Sequence, residues 1–345
     1  MNQLPGRKHY IDNLRAFSLL LVFVFHIFRV YSYSLWDDKF YIYGEELLIT
    51  SVINVLLAIW LMPLLFAVAG ISSRYALTRR SAGEYAKERA HKLLLPFVFG
   101  LLFIVPIQPY LAGLFRGGEA NYLDSFTMLT DFSGYDGAFS IAHLWFLIFL
   151  FVISMVSLPL MKWYESKGKG TLGNNVPLIL IILMGLLPVM GSFFDVFGKR
   201  PAEYLAYFLL GYFFLSNDDL LEKLEKYRFL LLGLFVVYTS IMLFVFNGEF
   251  YEAASWLAIL TLLGMGRHYL NFSGKITDYL SKSSFGVYIF HQSWIVVAAF
   301  FVLRISDNWV MQIPLIFLSA IPLTYLSYEI CRRLSITRWM FGLKR

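Results

Sequence analysis

Apolar runs close to twenty residues long recur along the whole of this chain, separated by shorter, mostly basic segments. That repeat limits the fold more than any other feature. A helix rising ~1.5 Å per residue needs about 20 apolar residues to cross a bilayer's hydrocarbon layer. Of the 345 residues, 59% are hydrophobic and 15% charged, where a soluble domain would average about 45–50% apolar. Phe (34), Tyr (22) and Trp (8) are abundant enough to supply lipid-facing rings and interfacial belts. The expected fold class is all-α, a polytopic transmembrane helical bundle.

Ten spans are expected: Leu14–Ser34, Leu47–Ala69, Leu93–Leu111, Ala142–Trp163, Val176–Phe194, Tyr204–Ser216, Phe229–Phe246, Tyr251–Tyr269, Phe285–Leu303 and Trp309–Cys331. The sixth is the shortest. With the N-terminus placed in the cytoplasm, 22 of the 29 Lys and Arg residues fall on the cytoplasmic side. Six fall outside (Arg29, Lys39, Arg116, Lys199, Arg200, Arg304), and Arg15 lies within the first span. This bias obeys the positive-inside rule with both termini cytoplasmic, and removing one span would invert every later loop. The formal charge of +6 therefore reads as a topology signal and calls for no nucleic-acid partner; a surface for an anionic ligand is its second use. Cys331 is the single cysteine, which excludes an intramolecular disulfide and a multi-cysteine metal site. Arg7 and Lys8 precede an apolar stretch too long for a signal-peptide core, as expected of an uncleaved signal anchor.

No soluble domain interrupts the pattern, so residues 1–345 are expected to form one membrane-embedded domain. The longest loops run from Gly70 to Lys92 inside and from Ala112 to Ile141 outside. The outer loop is rich in Gly and Asp, which suits either a lid over a polar substrate or an inert connector. Prolines such as Pro63, Pro159, Pro314 and Pro322 lie within spans as helix architecture. No internal repeat relates the two halves, which weighs against a transporter built from inverted repeats.

Inside the first run, Arg15 and His26 stand eleven residues apart, nearly in line on one helical face and roughly 16 Å apart along the axis. An imidazole in so apolar a span is a candidate catalyst, able to take and return a hydroxyl proton or carry an acyl group. The alternative is a packed histidine donating to a neighbouring carbonyl. Arg15 is placed to hold a phosphate or to snorkel, and Asp12, three residues earlier, offers it an ordinary ion pair. The basic loop supplies Arg79, Arg80, Arg89 and Lys92, the last two at the mouth of the third span. They are candidates for a phosphate-bearing ligand as well as topology markers. There is no GxxxxGK[ST] motif for an ATP-hydrolysing engine. On the outer side Asn54, Gln108, His143, Glu203, Tyr204, Glu252 and Ser255 gather near span ends, and His291 is a second costly imidazole inside the ninth span. His291 reads equally as helix–helix glue and as part of a substrate path.

Six elements in order then resemble a known family. Tyr10-Ile-Asp-Asn-Leu-Arg-Ala-Phe through His26 is similar to the Arg/Lys-x10-His opening of the acyltransferase 3 family of integral membrane proteins. Met62–Gly70 resembles the end of its second span, with Ala69 where Ser is usual. Arg89-Ala-His-Lys92-Leu-Leu-Leu-Pro96 resembles its Arg-x-x-Arg-Leu…Pro element, with Lys for the second Arg. That exchange keeps the charge and loses the planar fork. Pro106–Tyr110, His143-Leu-Trp-Phe-Leu and Gly286–His291 complete the set, which covers nearly the whole chain and resembles the branch of glucan-modifying C-type members.

The resemblance implies an acyl-CoA-dependent acyltransferase of the cytoplasmic (inner) membrane, moving an acetyl or succinyl group to a hydroxyl of a glycan or similar acceptor. His26 and Arg15 would be catalytic. Arg15, Arg79, Arg80, Arg89 and Lys92 would hold the acyl-CoA, and Asn54, Gln108, His143, Glu203 and His291 the acceptor. No metal or tightly bound cofactor is expected, acyl-CoA being a co-substrate. Membrane lipids are the other partners. The competing expectation is a transporter or flippase for a lipid-linked sugar or polar metabolite, using the same groups without covalent chemistry.

The charge bias makes a direct prediction. With Cys331 replaced by serine, cysteines introduced at Ser81 and Ser133 should label from opposite sides of the membrane with an impermeant thiol reagent. Labelling of both from outside contradicts the ten-span arrangement.

Overall fold

The computed structural model describes residues 8–33, 40–118, 121–126, 140–168, 170, 172, 175–194 and 199–344. Among these, every element is a helix. In order they are α1 (His9–Arg29), α2 (Leu48–Leu77), α3 (Ala82–Arg89), α4 (Leu95–Phe103), α5 (Ile107–Phe115), α6 (Trp145–Ser166), α7 (Leu178–Leu183), α8 (Leu186–Gly191), α9 (Pro201–Phe213), α10 (Asp218–Lys226), α11 (Arg228–Phe244), α12 (Tyr251–Tyr269), α13 (Lys275–Ile305), α14 (Trp309–Arg333) and α15 (Ser335–Met340). A π-turn, Ala90–Leu94, joins α3 to α4, and 3-10 turns occupy Tyr122–Phe126 and Ala142–Leu144. Residues 119–120 and 127–139 of the Gly- and Asp-rich outer loop lie outside the described residues.

Six helical runs among the described residues are long and apolar enough to cross a membrane: His9–Arg29, Leu48–Leu77, Ala82–Phe115, Ala142–Ser166, Lys275–Ile305 and Trp309–Arg333. A seventh arises if α10 and α11, bent by 71°, are taken together. The protein is thus a multi-pass helical membrane protein. Sequence 176–194, expected as one span, forms the short helices α7 and α8, parted at Gly185 and with Pro188 inside the second. A proline lacks the N–H a continuous helix would use. Sequence 204–216 falls mostly in α9, only 13 residues long.

The chain divides into two compact units, Met1–Ser18 with Ala58–Glu88 and Val152–Ser281, and Leu19–Leu57 with Arg89–Phe151 and Lys282–Arg345. Within the first, α2 and α9 approach so closely that side chains are excluded at the crossing. A Cβ on Gly70 would lie 2.0 Å from the Phe208 carbonyl oxygen, and one on Gly211 2.1 Å from that of Ala67. Small residues at such crossings let helix backbones pack where lipid gives no hydrophobic drive. Trp256 Nε1 donates to the Ile181 carbonyl (2.8 Å) and ties α12 to α7. On α10–α12, Arg267 bridges Glu222 and Glu225 at 3.0 and 2.9 Å.

The core of the second unit positions the site. Phe23 and Ile27 of α1, with Val30 just past its end, form a buried stripe at helical spacing. It packs into a cluster with Val287, Ile295, Val296 and Ala299 of α13 and Ile316 and Ala320 of α14. At Gly286 a Cβ would meet the Tyr328 ring at 2.3 Å, so glycine there lets α14 come close to α13.

Because Gly70 and Gly211 face backbone atoms that cannot rotate away, Gly70→Ala and Gly211→Ala should each destabilise the protein by about 1–3 kcal/mol. Gly233→Ala, with nothing near its would-be Cβ, should be neutral or slightly stabilising. Thermal unfolding of the detergent-purified variants checks this; equal unfolding temperatures for all three contradict the close crossing.

Candidate active site

Three imidazoles converge in the second unit. His26 lies on α1 between Val22 and Val30, which are four residues away on either side and almost wholly buried. His291 lies on α13 between Val287 and Ile295 in the same way. Each histidine thus takes a place in a stripe of core residues, and packing of the two stripes brings the rings together. His143 comes from the 3-10 turn Ala142–Leu144. Its ring centroid is 5.0 Å from that of His291, and the His26 and His291 centroids are 4.9 Å apart, both pairs edge to face.

Every ring has a hydrogen-bonded anchor. His26 Nδ1 is 2.9 Å from the Val22 carbonyl oxygen and 3.1 Å from His291 Nε2. His291 Nδ1 is 2.7 Å from the Tyr288 carbonyl oxygen, and His143 Nε2 is 2.9 Å from that of Ile289. The Tyr288 hydroxyl donates to the His143 carbonyl. His143 and His291 are buried, at 3% and 1% exposure, while His26 is half-buried.

The turn that delivers His143 is held in an uncommon conformation. Ala142 has φ of 43°, in the left-handed region that residues other than glycine rarely adopt. Ser140 Oγ accepts from the Ala142 N–H (2.9 Å), and Ser140 in turn bonds Tyr41 at 3.1 Å. Strain of this kind persists only where neighbours over-determine it.

Beside His291 a buried amide network links α13 to α5, with the Gln292 side-chain oxygen left without a hydrogen-bond partner. Gln108, at the start of α5, donates through Nε2 to Ser293 Oγ (2.7 Å) and accepts from Gln292 Nε2 (2.9 Å). Ser293 donates to the Ile104 carbonyl (2.7 Å), at the break between α4 and α5. Asn54, on α2, places its side-chain amide 2.8 Å from Ser32 Oγ, just past the end of α1. Gln108 and Asn54, both expected near the acceptor, therefore brace helices of the histidine centre. Sequence reasoning missed Gln292 and Ser293, although three consecutive polar residues, His291-Gln292-Ser293, inside an apolar run were the available signal.

The other expected residues lie elsewhere. Arg15 shares α1 with His26 but belongs to the first unit, where it pairs with Asp12 at 3.1 Å and stays 39% exposed. Arg79 is exposed in the turn after α2, and Arg80 pairs with Glu88 at 2.5 Å. Arg89 ends α3 and Lys92 sits in the π-turn, both half-buried. That turn, closed by the Leu95 N–H on the Ala90 carbonyl, was invisible to a 3.6-residue reading of the sequence. Glu203 is wholly buried on α9 in the first unit. One of its oxygens accepts from the Tyr251 hydroxyl (3.1 Å), and the other has no hydrogen-bond partner. Glu252, nearby in sequence to Tyr251, is paired with Arg200. Among the described residues no group of three or more His, Cys, Asp or Glu side chains is arranged to hold a metal ion.

A helical membrane protein with a cluster of imidazoles in its apolar interior is the class that these observations define. The chain belongs to the acyltransferase 3 family: the family's acyltransferase domain matches residues 8–329. Among curated proteins it is similar to glucans biosynthesis protein C of Salmonella paratyphi B and of Salmonella dublin. Each is 21% identical over a 382-position alignment that covers 99% of this chain and 96% of the relative. The same protein of Salmonella paratyphi A is 22% identical with the same coverage. No solved structure matches the chain.

Proposed function

We propose that this protein is an O-acyltransferase of the cytoplasmic membrane, moving an acetyl or succinyl group from cytoplasmic acyl-CoA to a hydroxyl of a glycan. Membership of the acyltransferase family supports the reaction class, and the name of the similar Salmonella proteins supports a glucan as acceptor. The ten-span arrangement with both termini inside belongs to the same proposal, since it gives the donor and acceptor opposite sides from which to approach.

One observation carries the assignment of the catalyst. His26 Nδ1 is engaged by the Val22 carbonyl, which can only accept, so that nitrogen holds its proton. In the uncharged ring the lone pair is then on Nε2, on the histidine that keeps accessible surface. Nε2 takes the acceptor's hydroxyl proton as the oxygen attacks the thioester carbonyl. The C–S bond breaks, the acyl group stays on the oxygen, and the CoA sulfur leaves with the electron pair and receives the proton. The thioester carries the driving force.

In this reading Arg89 and Lys92 hold CoA phosphates where the π-turn bulges the helix. His143 offers an acceptor hydroxyl its Nδ1, which has no hydrogen-bond partner.

His26→Ala should reduce transfer on the order of 10²–10⁴-fold while the protein still inserts and binds acyl-CoA. The assay is release of CoA and transfer of labelled acyl group by folded, purified enzyme supplied with glucan. Near wild-type turnover by His26→Ala, or substrate movement with no CoA consumed, removes the proposal. Separately, Arg89→Ala/Lys92→Ala should weaken acyl-CoA binding and leave acceptor KM nearly unchanged, with wild-type binding falling as salt rises. Equal acyl-CoA affinity in wild type and double variant rules out that donor site.

A further inference from the structure

The histidine beside the base has a role that its burial and its bonds define together. Two nitrogens meet at 3.1 Å, His26 Nδ1 and His291 Nε2, and one of them must be the donor. His26 Nδ1 carries a proton because the Val22 carbonyl at 2.9 Å accepts it. His291 Nδ1 carries one because the Tyr288 carbonyl at 2.7 Å accepts it. His291 Nε2 is thereby left with its lone pair, and the single His26 Nδ1–H is shared between it and the Val22 carbonyl. The direction of the chain is fixed by two backbone carbonyls, from His26 to His291 to Tyr288.

We propose that His291 is the positioning residue of the reaction, holding the ring of His26 and accepting its Nδ1 proton as Nε2 takes the proton of the acceptor hydroxyl. The proposal rests on the reading of His26 given above. As the acceptor O–H bond breaks, a proton arrives on His26 Nε2 and the Nδ1 proton shifts towards His291 Nε2, so the positive charge is spread over two rings. When the CoA sulfur departs, both protons move back: Nδ1 regains its own, and the one on Nε2 goes to the sulfur. Nothing is consumed, and each nitrogen ends as it began. The second imidazole orients the ring as a buried carboxylate does behind the histidine of a hydrolase triad, and differs from that carboxylate in taking the proton itself.

The surroundings fit that task. His291 is 1% exposed, so water does not compete for its Nε2. The Tyr288 hydroxyl, bonded to the His143 carbonyl, fixes the residue whose own carbonyl receives His291 Nδ1. Next in sequence, Gln292 and Ser293 are tied to Gln108, which holds this turn of α13 in place.

The test compares His291→Leu, which removes the acceptor, with His291→Gln, whose amide oxygen accepts the Nδ1–H bond but cannot take the proton. Both are made alone and in a His26→Ala background, with kcat, both KM values and the solvent-isotope proton inventory measured on folded protein. Expected for His291→Leu is a loss in kcat of about 10²-fold, the low end of a general base's contribution, with KM for acyl-CoA unchanged. His291→Gln should recover part of kcat. Its proton inventory should be linear, one proton in flight, where the wild type is bowed by two. In the His26→Ala background neither substitution should cost anything more, because the two residues act as a unit. Wild-type kcat with a bowed inventory in His291→Gln, or losses that persist undiminished without His26, overturn the proposal. If His291→Leu does not fold, His291→Gln alone decides. A nearly active His26→Ala instead overturns the function proposed above, so the two failures are told apart.

Discussion

The contact between His26 and His291 depends on how two apolar helices pack. Neither ring is drawn in by an opposite charge; each replaces an apolar residue in a core stripe and is carried to the other by its neighbours. Ile27 and Val30 on one side, and Val287 and Ile295 on the other, belong to one buried cluster. Polar groups this deep are costly unless they are hydrogen-bonded, and helix carbonyls answer that need at Val22 and Tyr288. The same carbonyls set which nitrogen is protonated. Packing, satisfaction of buried polar groups and orientation of a candidate base are therefore one arrangement.

Around it the protein spends other polar groups on rigidity. Gln108, Gln292 and Ser293 join in a network at the break between α4 and α5, and Ser140 holds the strained Ala142 that presents His143. A centre built on helices and locked by such contacts keeps its geometry better than one placed on loops. In the other unit, Gly70 and Gly211 allow α2 and α9 to touch backbone to backbone. That residue type sits where lipid cannot provide the force.

Much of this was legible in the chain. The all-helical membrane class followed from run length and composition, and His26 and His291 stood out as imidazoles in apolar segments. Their pairing was not legible, because 265 residues separate them and periodicity along one helix says nothing about which helix it meets. The line from Arg15 to His26 was drawn from helical spacing alone. Arg15 in fact pairs with Asp12, the local partner that spacing also offered. Run length alone does not register where glycine and proline divide an apolar run, as at Gly185 and Pro188 in α7 and α8. The π-turn at Ala90–Leu94 left no mark in a pattern read at 3.6 residues per turn. Gln108 and Asn54 were found as polar residues at span ends, but only their bonds reveal that they brace the site.

The account stands on the protonation pattern at the histidine pair, and that pattern is measurable in the resting protein. Nitrogen-15 solid-state NMR of histidine-labelled protein in lipid bilayers reads each ring nitrogen and the coupling across a hydrogen bond between rings. The account predicts one inter-ring coupling, from a protonated δ nitrogen on His26 to an unprotonated ε nitrogen on His291, lost when His291 is replaced by glutamine. A His26 ring protonated on Nε2 with a bare Nδ1, or no coupling between the two rings, would contradict it.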